Sequence, residues 1–150
     1  MNKQRFPMFI SLEDKSVLIV GGGEVATRRV RVLLDFGAAV TVISPEISGD
    51  MCEILENITW KKETYSGIDR DYALVIAATN DRAANKQIGI DAKNLGILVS
   101  VADAKDESTF WFPAIARSNG IVAGIVSETG NHGAVKKAAS TVRKALEEGI

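Results

Sequence analysis

An apolar strand, a glycine triplet and a helix start follow one another without a break in Ser16-Val17-Leu18-Ile19-Val20-Gly21-Gly22-Gly23-Glu24-Val25-Ala26. Few architectures place those three elements in that order. Gly21 suits a tight turn off the strand, Gly23 lets backbone approach a phosphate with no Cβ in the way, and Ala26 is small enough for close helix-on-strand packing. The new helix directs unpaired N–H groups and the positive end of its dipole at a ligand. Glycine-rich turns also end strands for structural reasons alone. Here the flanking elements favour a pocket for the pyrophosphate of a dinucleotide.

The rhythm downstream agrees. Val25 to Phe36 repeats apolar residues at helical spacing and meets Gly37, a suitable terminator. Val40 to Ile43 predicts a second strand that Pro45 stops, Ile47 to Leu55 a helix, and Ile58 to Lys62 a short strand towards an edge. Tyr72 to Ala78 is continuously apolar, as a parallel strand covered on both faces must be. Arg82 to Leu95 reads as a helix ended by Gly96, and Ile97 to Val101 as a further strand. Strands alternating with helices predict an α/β fold, a Rossmann-like, doubly wound parallel sheet.

From Ser108 the pattern changes. Phe110 to Arg117 and Ile121 to Val126 are extended runs joined by Ser118-Asn119-Gly120, and Asn-Gly favours a tight hairpin turn. Gly133 to Glu148 has an apolar stripe at Val135, Ala138, Ala139, Val142 and Leu146, the mark of an amphipathic helix. A hairpin and one helix make a poor core by themselves. The expectation is therefore a dinucleotide-binding domain over 1–111 and a dimerisation arm over 112–150, with a second copy covering the arm in a homodimer.

Composition narrows the function. With 150 residues, 46% of them hydrophobic and 25% charged, the chain has room for one well-buried core. A net charge of −1 gives no basic field for nucleic acid. The single Cys52 allows no internal disulfide, in keeping with a reducing cytosol. Met1 to Ile10 has no sustained apolar run, and no segment is long enough to span a bilayer. A soluble cytoplasmic protein is expected.

In an open parallel sheet, ligands bind beyond the carboxyl ends of the strands. The candidate cofactor contacts are accordingly Gly21, Gly23, Glu24 and Val25 after the first strand, Ser44, Pro45 and Glu46 after the second, and Thr79 and Asn80 after the fourth. The second strand of such a fold usually ends in an acid that binds a ribose 2′-OH. Ser44 stands there instead, with Glu46 two residues on. No Arg or Lys adjoins Ser44 to hold a 2′-phosphate, so NAD is expected rather than NADP. Thr79-Asn80-Asp81 suits either a cofactor contact or a helix cap, and the two roles are compatible. Asp103 follows the fifth strand, where a carboxylate can take a proton or hold a metal; the plainer alternative is a polar turn. His132 is the only histidine and has no Cys or His partner at ligand spacing, so no metal site is expected. Arg28, Arg29, Arg31 and Lys136-Lys137 read as solvated helix faces that would matter for a polyanionic substrate.

The ordered motifs resemble one family over nearly the whole chain. Phe6-Pro7-Met8-Phe9-Ile10, then Val20 to Arg28, Ala77-Ala78-Thr79-Asn80-Asp81 with Asn85, Val99 to Asp103, Ser108-Thr109-Phe110-Trp111-Phe112-Pro113-Ala114 and Val126 to Gly130 are similar to the dehydrogenase domain of siroheme synthases. Members of that family are precorrin-2 dehydrogenases, and some also insert iron into sirohydrochlorin. The resemblance implies an NAD-dependent oxidation of a partly reduced tetrapyrrole, precorrin-2, by a homodimer, with ferrous ion as a second substrate in the members that chelate. It matches Asp103 to the family's functional aspartate, as proton acceptor or as metal-guiding carboxylate. It also matches Gly23, Glu24, Val25, Pro45, Glu46, Thr79 and Val101 to cofactor contacts, and Ser127 to a serine near the substrate cleft. Where members commonly read Ser-Thr-Gly-Gly-Lys-Ser-Pro, this chain has Ser127-Glu128-Thr129-Gly130-Asn131-His132-Gly133. Ser127, Gly130 and His132 are the substrate candidates there. Many members continue past the position of Ile150 with further helices that wall the tetrapyrrole cleft, so dehydrogenation is the more firmly implied activity.

The competing reading is a non-enzymatic NAD-sensing module of the potassium-transport type. That class normally keeps an acid at the end of the second strand. Ser44 and the Phe112-Pro113-Ala114 hairpin entry argue against it.

Overall fold

The computed structural model of the protein describes residues 4–149. Met1, Asn2, Lys3 and Ile150, at the outer ends of the expected domains, lie outside the described residues. The described chain divides into two compact units. One is Ile10–Phe110; the other brings together the described residues of Met1–Phe9 and Trp111–Ile150.

The Ile10–Phe110 unit is a five-stranded, wholly parallel sheet. Its strands are β1 (Ser16–Val20), β2 (Ala39–Ile43), β3 (Ile58–Lys61), β4 (Leu74–Ala77) and β5 (Leu98–Val101), in the order β3-β2-β1-β4-β5. Helix α1 (Glu24–Asp35) joins β1 to β2, and α3 (Arg82–Asn94) joins β4 to β5. The reversal of strand order between β1 and β4 makes this a Rossmann-like fold, as the alternation of elements predicts.

Complete burial of Leu18, Ile19, Val75 and Ile76 explains why β1 and β4 read as unbroken apolar runs. Each such burial is worth roughly 2 kcal/mol. On one face, Leu18, Val20, Val75, Ala77, Val99 and Val101 pack with Ile88 and Ala92 of α3. Side chains alternate along a strand, so Val17 and Ile19 point to the opposite face, where α1 buries Val30 and Leu33. Gly37 (φ +81) and Gly96 (φ +72) follow the ends of α1 and α3 in left-handed conformations, as read from the sequence.

Two elements of the Ile10–Phe110 unit are shorter than expected by more than one residue. The helix expected over Ile47 to Leu55 is only one turn, α2 (Gly49–Cys52), followed by a 3-10 turn at Leu55–Asn57. Of its residues only Met51 is buried, so further helical turns would gain little from packing. The β4 strand is shorter than Tyr72 to Ala78, although Ala73 N and Ala78 N still donate to Ser16 O and Val20 O at 2.8 Å. The link from β3 to β4, residues 62–73, forms no helix. Tyr65 and Ile68 of that link pack against the α3-side core in its place.

The second unit holds β6 (Ala114–Ser118), β7 (Ile121–Ile125) and α4 (His132–Glu147). The strands form an antiparallel hairpin whose turn residues Asn119 (φ +52) and Gly120 (φ +77) both take the left-handed conformations that Asn-Gly permits. Helix α4 packs on the hairpin, burying Ala116, Ala139 and Leu146. Asn119 Nδ2 donates to Leu146 O at 2.9 Å and ties the turn to the last helical turn. Among the described residues no helix is long and apolar enough to cross a membrane.

Candidate functional site

All five parallel strands run to one edge of their sheet, and a cleft of about 1040 Å³ opens there within the Ile10–Phe110 unit. Five chain segments line it: the Gly21–Val25 turn, the Ile43–Ser48 loop after β2, the Ala78–Asp81 loop after β4, Ala102 and Asp103 after β5, and Thr64 and Tyr65 of the β3–β4 link.

The three glycines of the turn do different jobs. Gly21 has φ +123, and a Cβ there would lie 2.1 Å from Ala78 O, so the turn and the end of β4 exclude any side chain. A Cβ on Gly22 would lie 2.2 Å from Glu46 O; Gly22 lets the β2 loop close over the turn, and Ser48 N donates to its carbonyl at 2.8 Å. A Cβ on Gly23 would meet nothing within 4 Å. Gly23 is the N-cap of α1 and supplies no side-chain cap, so the first N–H groups of that helix face the open cleft. Thr27 Oγ1 donates to Gly23 O at 2.7 Å and meets Ser48 Oγ at 3.1 Å, which fastens the turn to α2. Neither Gly22 nor Ser48 stands out in the sequence. A glycine beside two others carries no separate signal, and the contact it permits comes from a loop twenty-odd residues away.

Ser44 is buried, and its hydroxyl donates to Glu46 O at 2.5 Å while Trp60 Nε1 donates to Ser44 O at 3.0 Å. The serine thus shapes the Pro45-Glu46 turn, leaving Pro45 and Glu46 exposed along the cleft. After β4, Thr79 is bound on three sides by the fully buried Asn85. Thr79 N and Oγ1 reach Asn85 Oδ1 at 3.1 and 2.6 Å, and Asn85 Nδ2 donates to Thr79 O at 3.1 Å. Asp81 caps α3, accepting from Ala83 N and Ala84 N, and Asn80 stands exposed between them. Both roles weighed for Thr79-Asn80-Asp81 are therefore compatible with the loop.

Asp103 lies at the rim after β5, where its Oδ1 accepts from Arg82 Nη1 at 2.7 Å. The other arm of the same guanidinium pairs with Glu107. Val101, two residues earlier, has a core side chain: it is 2% exposed and packs on α3 at Gly89. On the far side of the cleft, Tyr65 OH donates to Asp91 Oδ2 at 2.5 Å. Burial and the adjacent carboxylate push that phenol well above the ordinary tyrosine range. No periodicity marks Tyr65, because it sits in an irregular link. Arg29 also departs from its reading as a solvated cation. It is half-buried, burial and the neighbouring Arg28 lower its pKa, and its Nη1 lies 3.4 Å from Ser100 Oγ.

The structure thus assembles Gly21, Gly23, Glu24, Val25, Ser44, Pro45, Glu46, Thr79, Asn80 and Asp103 around one cleft. Ser127, Gly130 and His132 belong to the other unit. There Ser127 Oγ accepts from Thr129 N and Asn131 N, Gly130 takes φ +80, and Asn131 caps the helix that His132 begins. Among the described residues no group of three His, Cys, Asp or Glu side chains could hold a metal ion.

A family model described as "Putative NAD(P)-binding" matches residues 8–114. The chain belongs to that NAD(P)-binding family. Relatives of this NAD(P)-binding chain include the "Probable multifunctional siroheme biosynthesis protein HemA" of Ruminiclostridium josui, 47% identical over 93% of this chain and 28% of the relative. The siroheme synthase of Psychrobacter cryohalolentis is 42% identical over 81% of this chain and 24% of that protein. The chain therefore spans about a quarter of the length of these curated relatives. A solved structure, "SirC, precorrin-2 dehydrogenase", aligns with a TM-score of 0.77 and 27% identity, covering 94% of this chain and 71% of that one. These matches bear out the resemblance to the siroheme-synthase dehydrogenase domain.

The residues present fit a dinucleotide. Gly23 leaves open space where a Cβ would stand, and the uncapped start of α1 offers backbone donors to a pyrophosphate. The glycine turn lies on the middle strand β1, so the cleft extends from it in two directions, towards β2 and towards β4 and β5.

Proposed function

We propose that this chain carries out the NAD-dependent oxidation of precorrin-2 to sirohydrochlorin in siroheme biosynthesis. The observation that carries the reading is the cleft itself, which sets a glycine turn built for a pyrophosphate beside a rim carboxylate, Asp103. Similarity to SirC across 94% of the chain supports the choice of substrate.

Gly23, Glu24 and Val25 would hold the pyrophosphate through backbone N–H groups, and Pro45 and Glu46 would border the adenosine ribose. Thr79 and Asn80 would stand on the nicotinamide side, with Thr79 fixed by Asn85. When bound, NAD supplies the hydride acceptor. The substrate loses a hydride from a ring carbon and a proton from the adjoining framework, so the products are sirohydrochlorin, NADH and H⁺. Asp103 takes that proton at the rim, and Arg82 keeps the carboxylate turned to the cleft. Ser127 is assigned to the substrate by resemblance, Gly130 and His132 are candidates from the same loop, and the basic Lys136-Lys137 pair suits the many carboxylates of such a substrate.

The hairpin and α4 serve as a homodimer arm. Their unit exposes Phe6 (87%), Phe9 (76%) and Met8 (65%), more apolar surface than one small unit leaves open without a use. Insertion of ferrous ion is proposed as a second activity resting on Asp103. The single Cys52 suits a reducing compartment, the cytoplasm.

The test is anaerobic incubation with enzymatically generated precorrin-2 and NAD, following NADH and sirohydrochlorin spectra before and after ferrous ion is added. NADH formation that requires precorrin-2 supports the dehydrogenase, and a metal-dependent spectral change above the blank supports chelation. Bound NAD without any NADH formation would move the chain to the sensing class or to a dehydrogenase for another small molecule. Sedimentation as a monomer at micromolar concentration would remove the dimer.

A further inference from the structure

One wall of the cleft comes from an element with no assigned role. In a doubly wound sheet the strand-to-strand crossover is ordinarily a helix, yet the link between β3 and β4 crosses the sheet as irregular chain. Three side-chain bonds hold it. Lys61 Nζ donates to Asp69 Oδ2 at 2.7 Å, Tyr72 OH donates to Asp69 Oδ1 at 2.9 Å, and Tyr65 OH donates to Asp91 Oδ2 at 2.5 Å. Asp91 is itself fixed by Gln87 Nε2 at 2.8 Å. The last of these anchors matters for the cleft, because Tyr65 is the one aromatic side chain in its lining.

The position of that ring follows from the strand order. Asp103 and Thr79 mark the β4 and β5 side of the glycine turn, where hydride transfer belongs on the reading above. The other half of a dinucleotide must then run towards β2, past Pro45 and Glu46. Thr64 and Tyr65 line that same cleft from the link that leaves the neighbouring strand β3. Tyr65 is half-buried, with its ring packed on the core and its hydroxyl turned away to α3. A phenol tied at its polar end presents a fixed apolar surface, and a purine is the part of a dinucleotide that a flat aromatic surface suits.

We propose that Tyr65 is the adenine-binding wall of this cleft and that Asp91, acting through it, is a positioning residue. The assignment rests on the dinucleotide reading and adds to it the contact that receives the base. It makes affinity for the adenosine half depend on a residue pair that belongs to neither the glycine turn nor the β2 loop.

The experiment is calorimetric titration of the full chain with two probes, ADP-ribose and nicotinamide mononucleotide. Parent protein, Tyr65→Ala, Tyr65→Phe and Asp91→Ala are compared. Tyr65→Ala is expected to weaken ADP-ribose about tenfold or more, the usual scale for a lost base-on-aromatic contact, and to leave nicotinamide mononucleotide within twofold. Tyr65→Phe and Asp91→Ala both keep the ring and break the hydrogen bond that holds it, so both should fall between parent and Tyr65→Ala, and parent affinity in both would remove the positioning role of Asp91. A measurement on the parent protein needs no variant to fold: the Tyr65 ring resonances should shift with ADP-ribose and stay in place with nicotinamide mononucleotide. ADP-ribose binding that is unchanged in Tyr65→Ala, or that leaves those resonances unmoved, overturns the assignment while the dinucleotide reading stands. Failure of the parent protein to bind ADP-ribose at all overturns both.

Discussion

Alanine at Gly21 and alanine at Gly23 should fail in opposite ways. At Gly21 the backbone sits at φ +123, a region L-residues avoid at roughly 1–3 kcal/mol. The added Cβ would also lie 2.1 Å from Ala78 O and 2.6 Å from Ala78 C, backbone atoms just past the end of β4 that cannot swing aside as a side chain could. Forced overpacking typically adds a further 1–3 kcal/mol, so about 4 kcal/mol in all is expected. For a chain of this size that lowers the melting temperature by about 10 °C. At Gly23 the same methyl meets nothing within 4 Å and the only structural loss is that of glycine at an N-cap, about 1 kcal/mol at most. The Cβ there occupies the approach to the helix start, so NAD affinity should drop at least tenfold, or about 1.4 kcal/mol. Thermal melts of parent and both variants, with NAD titration of each at a temperature where all are folded, measure the two effects separately. Equal melting losses for the two variants, or undiminished NAD affinity in Gly23→Ala, would refute the division of labour.

Three more outcomes follow from the same contacts. Arg82→Gln removes a partner from both Asp103 and Glu107; because the pairs are largely exposed, stability should change by no more than about 1 kcal/mol, while precorrin-2 turnover falls and NAD affinity holds, as steady-state kinetics and calorimetry would register. Asn85→Ala strips three hydrogen bonds from Thr79 at a position that is 0% exposed, so a loss of about 2–3 kcal/mol is expected in urea unfolding; a loss below 0.5 kcal/mol, about the level of an ordinary surface change, would contradict the bonding described. Hydrogen bonds from Lys61 and Tyr72 hold Asp69 below the ordinary carboxylate range, and Asp69 holds Lys61 above the ordinary lysine range. The depressed carboxyl stabilises the fold above its unfolded pKa and loses that contribution as pH falls through the folded value, whereas the raised ammonium contributes below its unfolded pKa and is lost as pH rises past the folded one. Urea midpoints for Asp69→Asn against parent should therefore differ most between those limits and converge at both ends of the pH scale.

The sheet was readable because its signals are local and redundant. Short apolar runs, most of them followed within a few residues by Gly, Pro or a capping residue, leave little freedom over where strands stop, and Asn119-Gly120 specified its turn by backbone conformation alone. The glycine turn was legible for the same reason. Gly22, Ser48 and Tyr65 escaped because their roles depend on what the fold brings against them: a loop from β2, a neighbouring hydroxyl, an aspartate on a later helix. Val101 shows the converse, for a residue at a strand's carboxyl end can point its side chain into the core while its successor faces the ligand. Ile47 to Leu55 misled by its apolar content, although only Met51 in that stretch is buried.

Helix α3 carries three of the side chains that fix the cleft. Arg82 on its first turn holds Asp103, Asn85 one turn later holds Thr79, and Asp91 near its far end holds Tyr65. The three walls therefore share one rigid reference bar. A substitution that tilts this helix, for instance at Ile88 or Ala92 beneath it, would displace every wall in concert rather than loosen one. Variants selected for altered chemistry should accordingly accumulate on the loops, where a single wall can be adjusted, while the underside of α3 behaves as an alignment surface whose errors reach the whole site at once.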